Sequence, residues 1–199
     1  TKVVNNSTIN NPPPPPAQLS FAGGTSSFKV DWTTGANGKI YNLVIRFHYV
    51  EVNKITRDSI YKSLDWTFSN VKSATLQGGE GLSIEFKHVD FYKFIAAHLR
   101  VNDAVKRIAN NVDLIFTVGA DALNTYVEVN QPSTGIVQDK PQFTNIDGGT
   151  GLFSSRLTQT MLGKRLTKQT VDSLSSGYYT KSFGFCNTDL KDPATVNCN

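Results

Sequence analysis

Between residues 28 and 118 greasy and wet side chains alternate in short bursts. Phe28, Val30 and Trp32 share one face while Lys29 and Asp31 take the other, the period-two signature of a half-buried strand. A turn rich in Gly and Asn follows at 34–39. The next run is long: Tyr41, Leu43, Ile45, Phe47 and Tyr49 point one way, and Asn42, Arg46, His48 and Glu51 are expected on the opposite side. A slip of one residue would expose five large apolar groups, each contributing about 1.5–3 kcal/mol on burial, so this register is strongly specified. The alternation returns at Leu64, Trp66 and Phe68, at Leu82, Ile84 and Phe86 after a turn at 78–81, and at Val112, Leu114, Phe116 and Val118. Turns, not crossover helices, separate these runs. They predict a mainly β chain of antiparallel sheets packed as an immunoglobulin-like sandwich.

Three short helices are expected beside the strands. The first opens at Asp90, whose carboxylate can accept from free backbone amides, and carries Phe91, Phe94, Ile95 and Leu99 on one face. A second opens at Asp121 and carries Leu123, Tyr126 and Val127 until Pro132 forbids continuation. The third has Thr167 as its cap, a staple between Leu166 and Val171, and Gly177 to end it. Helices this short are marginal alone and must lean on the sandwich as edge or end covers.

The organisation expected from these signals has three parts. Residues 1–16, rich in Asn and ending in five prolines, form an extended linker. Polyproline rises about 3.1 Å per residue, giving a semi-rigid spacer of roughly 15 Å. Residues 17–160 form the sandwich with its helical insertions, and 161–199 a C-terminal extension. In 141–156, P-Q-F-T-N-I-D-G-G-T-G-L-F-S-S-R, a strand-like run meets a glycine-rich bend and a strand resuming at Leu152-Phe153.

The early strands ending in Trp32, with the turn and tyrosine-rich strand that follow, are similar to the opening of fibronectin type III modules, where a tryptophan on the second strand anchors the core. Residues 41–51, Y-N-L-V-I-R-F-H-Y-V-E, together with the helix from Asp121 and the 141–156 stretch, resemble a family of uncharacterised Bacteroidetes cell-envelope lipoproteins. That family has no assigned chemistry. The resemblance implies a periplasmic or surface-exposed bacterial domain, often associated with outer-membrane uptake machinery. The chain starts at Thr1 with neither a methionine, a signal segment nor a lipid-bearing cysteine, so a targeting sequence and membrane tether are expected upstream.

Composition is that of ordinary globular material: 199 residues, 39% apolar and 18% charged. No run of about 18 apolar residues occurs, so no helical span is expected. The formal charge of +4 is scattered in small groups such as Lys106-Arg107 and Lys164-Arg165, without the basic stripe and stacking aromatics of a nucleic-acid site. Cys186 and Cys198 would close a short disulfide loop in an oxidising compartment, worth on the order of 3 kcal/mol. Two free thiols, or half of a zinc site, are the competing readings. Zinc needs further soft ligands, and His48, His88 and His98 lie far off in sequence.

Candidate chemistry is thin. Gly148-Gly149-Thr150-Gly151 lacks the Lys-Ser or Lys-Thr and the helix that a phosphate loop requires, so the glycines read as a bend. Asp147 beside them is one carboxylate where calcium takes about six to eight oxygens. No serine sits in a G-x-S-x-G elbow, and Glu80 and Glu85, on opposite faces if both are extended, do not support a glycosidase pair, a geometry that residues distant in sequence can also build. The expectation is a non-enzymatic, cofactor-free, metal-free binding or structural module. Its partner is an envelope protein or a glycan, met through Asn42, Arg46 and His48 and through the bend at Asn145, Asp147, Gly148 and Gly149. The alternative is a glycan-binding domain stacking sugars on Trp66, Tyr61 or Tyr92, against which core packing is favoured because Trp66 shares its face with Leu64 and Phe68. A hydrolase stands third.

Overall fold

Trp32 is fully buried between two antiparallel sheets, and its neighbours define the body of the molecule. The computed structural model describes residues 3–13, 17–24, 26–131 and 142–187. Among them the strands are β1 (Thr8–Asn11), β2 (Ser27–Thr33), β3 (Ile40–Asn53), β4 (Ser59–Lys72), β5 (Gly81–Lys87), β6 (Val105–Gly119) and β7 (Arg156–Arg165). The helices are α1 (His88–His98), α2 (Asp121–Val129) and α3 (Lys168–Ser176), followed by a 3₁₀ turn at Lys181–Phe183. One sheet has the order β1-β2-β5 and the other β4-β3-β6-β7. The fold is a mainly β, antiparallel sandwich with short helices appended, as the alternation predicts.

Inward residues follow the expected parity. Val30 and Trp32 from β2 and Ile84 and Phe86 from β5 meet Tyr41 to Tyr49 of β3 and Val112 to Val118 of β6 in one apolar cluster. Trp32 lies 4.9 Å from Phe116, ring edge to ring face at 66°. Trp66 stacks on Phe94 of α1 and packs on Phe86, so α1 closes one opening of the core.

Four expectations change. The 1–16 linker is only partly a linker: Val4 is buried, Ser7 accepts the Gly35 N–H, and Thr8–Asn11 pairs with β2. The physical reason is the open edge of β2, which the short β1 covers. Prolines 14–16 lie outside the described residues. The boundary drawn at 160/161 falls inside β7, and Leu166, Leu174, Phe183 and Phe185 belong to the core, so residues 161–187 are built into the body. No strand resumes at Leu152-Phe153; β7 begins at Arg156. Asn145 takes the Phe153 backbone for itself, its Nδ2 donating to the carbonyl at 2.7 Å and its Oδ1 accepting the N–H at 2.8 Å, which withholds both groups from a ladder. Glu51 is buried, not wet, because it continues the inward series after Tyr49 and stands opposite Arg107.

The helices match more closely. α1 starts two residues before Asp90, whose carboxylate accepts the Lys87 N–H from the third helical position. α2 starts at Asp121, and α3 is capped by Thr167 and ends before Gly177.

Candidate functional site

The outer face of the four-stranded sheet carries Asn42, Arg46 and His48 side by side along β3, and each is tied to a neighbouring strand. Arg46 donates from Nε and Nη2 to the two carboxylate oxygens of Asp65 on β4, at 2.7 and 2.8 Å. This planar two-point contact fixes both side chains while leaving them about two-fifths exposed. The bonded guanidinium holds the Asp65 carboxyl below its usual range, and the carboxylate raises Arg46 in turn. His48 Nε2 lies 2.7 Å from Oδ2 of Asp113 on β6, and the other Asp113 oxygen accepts the Gly163 N–H at 2.7 Å. Asp65, Arg46 and Asp113 stand opposite one another in register, forming a row of alternating charge with His48 beside it.

Three of these side chains sit where the ladders slip. The β3–β4 register shifts beside Asn42, and Asn42 Oδ1 accepts the N–H of Asn70, a residue at φ 66°. The β6–β7 register shifts beside Asp113, whose carboxylate holds Gly163 at φ 69°. A third shift, between β3 and β6, falls at His48. An extra residue in one strand leaves an amide without a ladder partner, and a polar side chain from the adjacent strand supplies one. Asn42 and Asp113 therefore shape the face as well as line it.

The bend is separate. Asn145, Asp147, Gly148 and Gly149 are exposed, in a loop closed by the Asn145–Phe153 pair and by Thr144, whose hydroxyl donates to the Gly149 carbonyl and accepts the Ile146 and Gly151 amides. No hydrogen bond or ion pair joins this bend to Arg46 or His48 among the described residues. The structure brings Asn42, Arg46 and His48 together and leaves the bend as a second, independent surface. Asp65 and Asp113 are the residues that sequence reasoning missed. They lie 19 and 65 positions from their partners, and the outward parity of each strand is the signal that could have found them.

The aromatic candidates divide. Trp66 packs against Phe68 and Phe86, Tyr92 is buried, and Tyr61 is exposed. His88 Nδ1 is 3.1 Å from Ser26 Oγ, and His98 Nδ1 is 2.8 Å from the Phe94 carbonyl in the last turn of α1. Cys186 is fully buried beside Val50 and Ile108, while Cys198 lies outside the described residues.

Chemically, the face offers fixed hydrogen-bonding groups of both signs. Ser63 stands opposite His48 in register, yet no hydrogen bond joins them. A hollow of about 220 Å³ on this face is lined by Ile40, Asn42, Asn70, Leu123 and Arg156 among others and does not reach His48. No group of three or more His, Cys, Asp or Glu side chains converges as a metal site among the described residues, and no described helix is long and apolar enough to cross a membrane. No protein family, curated protein or solved structure matches this chain.

Proposed function

We propose that this chain is a non-catalytic binding or structural module of a bacterial cell envelope, working at the periplasmic or outer surface through the outer face of its four-stranded sheet. The observation that carries the reading is the Asp65–Arg46–Asp113 row with His48. These groups are held rigidly by one another and still face solvent, the condition under which charged side chains select a partner by complementarity. Placement beside outer-membrane uptake machinery, and a lipid tether, rest on the family resemblance of residues 41–51 and 141–156 alone. The fibronectin type III likeness is supported by the three-on-four strand arrangement and by Trp32 on the second strand. The proposal includes a disulfide between Cys186 and Cys198 as a tie for the C-terminal segment.

The test is capture of proteins from a solubilised envelope fraction of the source bacterium on immobilised wild-type and Arg46→Glu chains. Reversing the charge at the centre of the row is expected to cut capture about tenfold at low salt, and raised salt to weaken the wild type likewise. Equal capture by both chains would count against this face.

A further inference from the structure

β4, at 14 residues, is the longest strand at an edge of either sheet, and among the described residues nothing pairs with its far side. Antiparallel partners exchange hydrogen bonds at every second residue. The Asn53 N–H donates to the Asp58 carbonyl, so by alternation the even-numbered residues of β4 bond β3, while Tyr61, Ser63, Asp65 and Thr67 turn their N–H and C=O groups to the open side. The register with β3 runs unbroken from Ser59 to Phe68, which keeps this row regular. The opposite edge of the same sheet is blunted. β7 carries Gly163 at φ 69° beside a register shift, and Leu19 takes its end, donating to the Arg165 carbonyl and accepting the Thr167 N–H.

The second observation concerns the core beside this edge, which is incompletely covered. Leu43, Ile45 and Phe47 of β3 are at most 1% exposed, whereas their cross-strand partners Phe68, Trp66 and Leu64 are only half-buried. Further along β4, Ile60 is 58% and Tyr61 76% exposed. A strand laid along β4 would bond the open backbone groups and cover this apolar row in one step.

We infer that the occupant is a second copy of this chain, its β4 running antiparallel to the first about a two-fold axis between the two Leu64 residues, so that the two larger sheets join into one. In that register β4 complements itself. On the inner face Leu64 meets its own mate, Ile60 meets the second copy's Phe68, and Lys62 meets the second copy's Trp66, a cation beside an aromatic ring. These are the pairs without backbone bonds, in which side chains approach most closely. On the outer face Tyr61 stands opposite the second copy's Thr67, and Ser63 opposite its Asp65. Charge selects against neighbouring registers, because an axis through Lys62 or through Asp65 would set that charge directly against itself. A patch that pairs with itself closes a dimer and leaves no further edge of its kind. The two Asp65–Arg46–Asp113 rows would then lie on the same side of the joined sheet.

The test is sedimentation velocity of the whole chain from about 1 to about 500 μM, since an interface of one strand edge belongs to the small, reversible class. The wild type is expected to show a reversible monomer–dimer equilibrium in that range. Ser63 is exposed, so its substitution bears little on the fold. Ser63→Lys, which sets an ammonium opposite Asp65 twice across the axis, is expected to tighten the dimer about fivefold, and Ser63→Asp to loosen it about fivefold. Ser63→Pro removes an N–H from the open edge while the ladder to β3 keeps its bonds, and should abolish the dimer. Thermal melts check that each variant is folded; where Ser63→Pro is not, the two charge variants decide. A chain that stays monomeric throughout, or a dimer indifferent to these changes, would overturn the inference, the first outcome leaving the edge to an extended segment of a different protein. Loosening by both charge variants would overturn the axis at Leu64. Capture through the Arg46 face is a separate readout, so loss of the dimer leaves that proposal to its own test.

Discussion

Asp113 serves two strands at once, orienting His48 with one oxygen and holding the Gly163 amide with the other. Its removal should therefore cost more than loss of its visible partner. Asp113→Ala is expected to destabilise the fold by about 1.5–3 kcal/mol, the range for hydrogen bonds to a charged group, and His48→Ala by about 1 kcal/mol, because Asp113 then keeps Gly163. Urea melts of the two variants check the order; equal losses would place the energy in the His48 contact alone. That Asn42, Arg46 and His48 face one way was readable from alternation along β3. Their partners were not, since β4 and β6 choose which carboxylate stands opposite only after pairing.

Among the elements, α3 was the most legible, because cap, run and stop are all local. Thr167 accepts the Thr170 amide and Gly177 ends the helix, as the spacing implies. Thr167→Ala should cost about 1 kcal/mol, read as a lowered midpoint in thermal melts, and Thr167→Asp should restore most of it. The glycine bend was misread for an equally local reason. Asn145 hydrogen-bonds across its own loop to Phe153, and a side chain that competes with the ladder is invisible to hydrophobic periodicity. β1 was missed because four residues, Thr8–Asn11, are too few to display a period, and only the bare edge of β2 makes them a strand.

Two described segments far apart in sequence, at Pro13 and Ala17 and at Phe183, are bound into the body by buried charge. Lys164, fully buried on β7, donates to the carbonyls of Pro13 and Ala17, and burial draws its ammonium below the ordinary lysine range. Arg107 donates from Nε and Nη2 to Glu51 at 2.9 and 2.7 Å and from Nη1 to the Phe183 carbonyl at 2.6 Å. Burial by itself would raise the Glu51 carboxyl, but Lys62 and Arg107 outweigh it and the native value falls below 4.5. A carboxylate depressed on folding contributes stability that is complete above its unfolded value and is lost as pH drops through the native one. Glu51→Gln, which leaves Arg107 buried without its counter-charge, should cost about 3 kcal/mol at neutral pH. The gap to wild type should close as acid protonates Glu51, and denaturant melts across the acid range would show it. A gap that stays constant with pH would place the cost in packing.

Alternation along each strand settled which side chains go inward, from Phe28 to Val118, since burying one face of a pleated strand leaves a single workable register. It settled the sandwich for the same reason. Which strands became neighbours, where their ladders slipped, which acid met Arg46 or His48, and which strand kept an open edge were decided by packing between segments far apart in the chain. Those contacts depend on distances that no local period encodes.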